Sequence, residues 1–330
     1  MMEYYDTTLK QKLPGIILKT AGFLMIAVGL VAAYYGPLEI YVFYLFSPGG
    51  RFYFEGFAVG SLWFAYLVLQ NLGYYLLAAL LLPLGIGTFP LRRWAYTLTC
   101  LVLWLWLGAG LLFSLNWVVL ALHQSRANPS DPDTALRIAG FSLIFCLITM
   151  VLPVLLLWLY SRDPVRNTFE INDPRQYWTE CYPFPLLIVL GIMLAVIFVF
   201  HIAIFLQGLF PFFGEIIWGR TGVRWLAGNI VIQLVILYGL IRLKRWGLWS
   251  SLVYYSALTL SAGLSFYGRS FADILLEMSL PQFELEFLAT LTLLEGISMF
   301  LWIILVLLVL LGLLIYSRGF FISAKRTEMN

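Results

Sequence analysis

Charge is scarce in this chain. Asp, Glu, Lys and Arg make up 11% of 330 residues, against about 25% in soluble domains. A soluble fold of this size needs a far more polar surface, so water is excluded as its main solvent. Histidine is rarer still: only His123 and His201 occur. A haem held by two histidines would require both, and His123 falls at the end of an apolar stretch. The three cysteines, Cys100, Cys146 and Cys181, form no CxxC pair and no even framework. That spacing offers neither a disulfide scaffold nor a Cys/His metal site. There is no Walker loop, no GxSxG and no HExxH. A hydrolytic triad could draw only on the same two histidines, and no spacing recommends it. The basic residues are strung along the chain, which leaves nucleic-acid binding unsupported. The sequence therefore predicts no cofactor, no metal site and no enzyme activity. It does not define a small-molecule ligand.

What is abundant is apolar and aromatic. The chain is 62% hydrophobic and 17% aromatic, with 12 Trp and 19 Tyr. Hydrocarbon suits such a balance, because an apolar outer face costs nothing there. Trp and Tyr favour the membrane interface, where ring and polar tip are both satisfied. Eight apolar segments approach the length of about 20 residues that spans a bilayer. They lie near 14–35, 58–82, 94–120, 137–160, 185–207, 224–241, 246–266 and 292–316. The expected fold class is all-α, a polytopic helical membrane protein. The N-terminal segment, basic and then apolar, reads as an uncleaved signal anchor because its apolar stretch exceeds a typical leader.

Charge placement orients these spans. Fourteen of the 20 Lys and Arg fall on the side of the N-terminus, including Arg92, Arg93, Arg162, Arg166, Lys244, Arg245 and Arg318. The other six are Arg51, Arg126, Arg137, Arg220, Arg224 and Arg269. The positive-inside bias predicts both termini in the cytoplasm, in a cell membrane of the bacterial inner type.

Internal similarity suggests duplication. Gly87-Thr88-Phe89-Pro90-Leu91-Arg92-Arg93-Trp94 is answered by Gly239-Leu240-Ile241-Arg242-Leu243-Lys244-Arg245-Trp246. Ala109-Gly110 is answered by Ala262-Gly263, and Tyr160-Ser161-Arg162 by Tyr316-Ser317-Arg318. The offsets are 152, 153 and 156. Residues 1–179 and 180–330 then form two four-helix repeats within one membrane domain. An even number of spans per copy makes the repeats parallel, related by an axis along the membrane normal. Arg92, Arg93, Trp94, Arg162, Lys244, Arg245, Trp246 and Arg318 read as interface anchors, with cations at lipid headgroups and indoles at the boundary.

The first copy is longer by 19 residues, placed in an aromatic outer loop, 36–57. Two β-prone arms flank Pro48-Gly49-Gly50, which resembles a short hairpin; an interfacial helix ending at the turn is the other reading. The loop brings Tyr41, Phe43, Tyr44, Phe46, Phe52, Tyr53 and Phe54 together, as an aromatic belt or a partner-docking surface. Polar groups within spans are few. Asn71, His201, Asn229 and Gln233 form the candidate intramembrane polar site, with Gln70 beside Asn71. His201, about 24 Å along its helix, is expected to bond a neighbouring carbonyl or amide. Small residues at Gly22, Gly29, Ala109, Gly110, Ala262 and Gly263 read as helix-packing positions. Ser270 to Leu280 reads as an interfacial helix. Two functions stay open. One is a non-catalytic membrane subunit or scaffold, with the bilayer and other membrane proteins as partners. The other is a transporter of a small molecule or lipid with its site at the repeat interface.

Overall fold

The computed structural model describes residues 2–47, 49–53, 61–127, 140–205, 207–278, 284 and 299–328. Phe54, part of the aromatic loop read from the sequence, lies outside them. Helix dominates, as it must where backbone groups cannot turn to water. The helices are α1 (Met2–Phe46), α2 (Leu62–Thr88), α3 (Arg93–Ala127), α4 (Gly140–Tyr160), α5 (Asp163–Asn172) and α6 (Trp178–Cys181). They continue as α7 (Phe184–Phe205), α8 (Gly219–Ile241), α9 (Arg245–Phe266), α10 (Phe271–Glu277) and α11 (Met299–Glu328). A two-stranded hairpin, β1 (Phe210–Phe212) and β2 (Glu215–Ile217), lies between α7 and α8.

Among the described residues, seven helices are long and apolar enough to cross a membrane. They are Gly15–Phe46, Tyr66–Thr88, Arg93–Leu115, Gly140–Tyr160, Phe184–Phe205, Gly219–Ile241 and Ile303–Phe321. The segment expected at 246–266 is a helix of 22 residues, α9, but is more polar than these. Its Ser251, Ser261 and Ser265 are buried and hydrogen-bonded.

The structure decides between the two readings of the segment before Pro48, in favour of a helix ending at the turn, and corrects one other reading. The arm Pro37–Phe46 is not a strand: α1 runs through it, and the chain turns only at Gly49, where φ is 91°. A helix closes its hydrogen bonds within the segment, which an isolated strand arm cannot do. The Tyr-Ser-Arg matches are not equivalent helix ends. Tyr160 closes α4 and is 2% exposed, whereas Tyr316 lies within α11 and is 69% exposed.

By contacts the chain forms two units. The first comprises residues 1–55, 67–111 and 146–182. Gly22 and Gly29 bring α1 close to α2: a Cβ on them would lie 2.7 Å from the Phe89 nitrogen and 2.8 Å from Leu82. Leu18, Leu91, Leu103, Tyr160, Val165 and Phe169 form a buried cluster where α1, α3, α4 and α5 meet. In α4 a π turn at Leu147–Val151 precedes Pro153. Proline has no N–H to give the Thr149 carbonyl four residues back. Gly110 approaches that same carbonyl, and a Cβ there would lie 2.0 Å from its oxygen. Only a glycine Cα–H fits so close to a carbonyl.

The second unit comprises residues 56–66, 112–145 and 183–330. α7 buries Leu186, Leu187, Val189, Leu190, Met193 and Ile197. The hairpin turns through Phe213 and Gly214, both at positive φ, the conformation that matches strand twist in a two-residue loop. Strands of three residues do not stand alone, and α9 clamps them. Ser261 accepts from the Phe213 N–H (2.9 Å) and donates to the Pro211 carbonyl (2.9 Å), while Ser265 accepts from the Gly214 N–H (3.0 Å). Phe210 and Phe212 stack on Trp225 with ring centroids 6.0 and 5.0 Å away. α10 opens with a capping box between Ser270 and Asp273, and it buries Ile274 and Leu275 while Asp273 and Glu277 stay exposed.

The two Arg-Trp corners adopt one conformation. Leu91 and Leu243 sit at φ 59° and 50°, a region that glycine normally takes at a helix C-terminus. Arg92 N–H donates to the Gly87 carbonyl and Leu91 N–H to Thr88, as Lys244 N–H does to Gly239 and Leu243 N–H to Leu240. In each case an indole packs against the glycine, so that a Cβ would meet Trp94 or Trp246 at 2.6 Å. The burial register continues along the flanking helices at the constant offset of 152. Buried pairs are Ala78 and Ile230, Leu84 and Ile236, Ala95 and Gly247, Thr99 and Ser251, Leu103 and Tyr255, Gly110 and Ala262. The register thus pairs Gly110 with Ala262, one residue off the Ala-Gly match read from the sequence.

Candidate functional site

By hydrogen bonding, the polar residues of the spans fall into separate groups. In the second unit Asn229 and Gln233 lie one turn apart on the buried face of α8. Tyr254 of α9 donates to Asn229 Oδ1 (2.8 Å) and accepts from Gln233 Nε2 (3.2 Å). Tyr255 donates to Gln233 Oε1 (3.1 Å), and Asn229 Nδ2 donates to the Trp225 carbonyl (2.8 Å). The network closes on itself: each amide oxygen is met by a phenol. Such a set ties two helices and leaves no nucleophile or base exposed. The residues 152 positions earlier are Leu77, Leu81, Val102 and Leu103. The amides could be read from the sequence, but their partners could not, because Tyr254 and Tyr255 look like interface aromatics.

His201 stands apart from that network in its bonding. Its Nδ1 lies 2.8 Å from the Ile197 carbonyl one turn back on its own helix. Asn71 belongs to the first unit, where its Nδ2 donates to the Leu67 carbonyl (3.1 Å). Its neighbour Gln70 donates to Glu39 (3.1 Å) and to the Tyr74 hydroxyl (3.1 Å). Sequence reading placed Glu39 in a loop; the extension of α1 carries it onto the face of α2.

A third assembly surrounds the first corner. Arg93 reaches Glu180 Oε1 at 2.7 Å and Glu170 at 3.8 Å, and Arg166 pairs with Glu170 at 2.9 Å. Arg92 lies 3.8 Å from Asp173, whose carboxylate also accepts from the Arg93 N–H (3.3 Å) and the Tyr177 hydroxyl (2.9 Å). Burial alone would raise the Asp173 pKa. The Tyr177 hydroxyl, the Arg93 and Arg175 amides and the Arg92 guanidinium outweigh it and hold the group below its ordinary value. Beside these pairs lies a half-open cleft of about 430 Å³, lined by Arg93, Tyr96, Thr97, Arg166, Phe169, Glu170, Gln176, Glu180 and Cys181. Its two guanidiniums face two carboxylates, so it could hold a small dipolar group. Among the described residues no group of three His, Cys, Asp or Glu is placed to hold a metal ion.

The remaining sequence-selected residues are surface ones. Tyr41, Tyr44, Phe52 and Tyr53 are each more than half exposed, while Phe43 and Phe46 are half-buried. Phe46 and Phe52 stack at 5.8 Å, and Arg51 lies over Phe52. Arg162 stacks on Trp158 with its guanidinium carbon 3.6 Å from the ring centroid. Arg318 is exposed on α11. Comparison with protein-family models, with curated proteins and with solved structures gave no match.

Proposed function

We propose that the chain is a non-catalytic integral membrane subunit or scaffold that packs within a larger membrane assembly. Eight membrane-spanning helices, counting α9, form two parallel four-helix repeats with both termini in the cytoplasm. The shared conformation of the corners and the common burial register of 78–110 and 230–262 support the duplication. The observation that carries the role is the aromatic run at the end of α1. Helix α1 continues 11 residues past the expected end of its span at 35; it exposes Tyr41 and Tyr44, and the turn after it exposes Phe52 and Tyr53. Exposed aromatic residues gathered in one short segment mark a contact with protein or lipid. Asn229 and Gln233 meanwhile bind Tyr254 and Tyr255.

The test replaces Tyr41, Tyr44, Phe52 and Tyr53 by Ser, which leaves α1 at full length. Companion proteins recovered in gentle detergent should fall several-fold while insertion and yield stay unchanged. Full recovery of every companion by the variant would refute the docking role. A second reading, a transporter of a small molecule or lipid, draws on the parallel repeats and on the cleft beside Arg93.

A further inference from the structure

The two corners share a backbone but differ in what neutralises them. Neither helical hairpin supplies an acid of its own: no Asp or Glu occurs between Glu55 and Asp131, or between Glu215 and Asp273. At the first corner the segment 163–182 brings Glu170, Asp173 and Glu180 onto Arg92 and Arg93. At the second, Arg242, Lys244 and Arg245 are all exposed, and among the described residues no carboxylate pairs with them. Arg242 lies 5.6 Å from the Tyr238 ring centroid. Trp246 and Trp249, both exposed, flank the cations.

We propose that the second corner is a seat for the headgroup of an anionic phospholipid. It rests on the membrane reading of the chain and is independent of the scaffold role. Three cations within four residues stand at the junction of α8 and α9, at the end of an apolar helix, where headgroup phosphates lie. Cations there gain from anionic lipid at every residue, and indole and phenol rings fix the depth. Water and counter-ions would serve a loop in solution, but an interfacial corner without acids draws its counter-charge from the leaflet. The first corner needs no lipid, because the chain provides the three carboxylates itself.

The experiment uses the full chain, extracted from vesicles of equal parts phosphatidylcholine and phosphatidylglycerol and examined by native mass spectrometry. The wild-type chain should retain phosphatidylglycerol in preference to phosphatidylcholine. R242Q/K244Q/R245Q should lose that preference by about tenfold or more. The single variants R242Q, K244Q and R245Q should lower it in steps, which guards against misfolding of the triple variant. R92Q/R93Q should keep the wild-type preference. Equal retention of both lipids by the wild type would overturn the proposal, as would equal losses at the two corners. Displacement of phosphatidylglycerol by millimolar inorganic phosphate would also overturn it, since a free-anion site would then explain the binding.

Discussion

At the scale of single residues, the α8–α9 amides and phenols are spent on each other. Gln233 and Tyr255 illustrate the consequence. Gln233→Leu introduces the residue type found 152 positions earlier, at Leu81, but strands the buried Tyr255 hydroxyl, so the single change should destabilise. Hydrogen bonds between membrane helices are worth roughly 0.6 kcal/mol, rarely above about 1.7. A double-mutant cycle of Gln233→Leu and Tyr255→Phe, read by unfolding in mixed micelles, should give coupling in that range. Additive losses would show that the two side chains act separately. Asp173 makes a second case. Its carboxyl is held below the ordinary pKa of about 3.9, so its contribution is complete above that value and disappears as pH falls through the lower, folded pKa. Thermal stability of the wild type should drop on acidification below about pH 4. Asp173→Asn should be less stable by roughly 1–3 kcal/mol at neutral pH, with a shallower acid limb. Superimposable acid limbs would remove Asp173 from the account.

At the scale of elements, length and apolarity located the helices, while their ends and contacts were set by features a hydropathy pattern does not carry. The run of α1 to Phe46 stayed open between a hairpin arm and a helix ending at the turn, because Tyr, Phe and Val suit both strand and helix. The hairpin Phe210–Ile217 was hidden because its stabilisers, Ser261, Ser265 and Trp225, lie far along the chain. The corner was legible as a repeated string, but not as a left-handed leucine, because no glycine marks Leu91 or Leu243. Of the small residues read as packing positions, Gly22, Gly29 and Gly110 lie at close approaches while Ala109 is exposed, and only geometry separates Gly110 from Gly108, which has nothing within 4 Å of a Cβ. Gly110→Ala should therefore cost roughly 1–3 kcal/mol through overpacking against Thr149. Gly108→Ala should be neutral or stabilising, since alanine is the better helix former. Equal melting temperatures for the two variants would contradict the close α3–α4 contact.

At the scale of the whole molecule, the account turns on α9. It matches α3 in burial register and follows the same corner, yet its serines lower its hydropathy below that of the seven apolar helices. If its serines are satisfied within the protein, Ser261 and Ser265 by the hairpin and Ser251 by its own helix, α9 crosses the bilayer, the helix count is even within each repeat, and the repeats are parallel. The decisive measurement is accessibility of single cysteines, introduced at Arg51, Arg166, Arg242 and Arg269 in a chain lacking Cys100, Cys146 and Cys181. With a membrane-impermeant thiol reagent on sealed cells and then on inverted vesicles, Arg166→Cys and Arg242→Cys should label from one face, and Arg51→Cys and Arg269→Cys from the other. Labelling of Arg242→Cys and Arg269→Cys from the same face would mean that α9 does not cross, and the parallel duplicated architecture would be wrong.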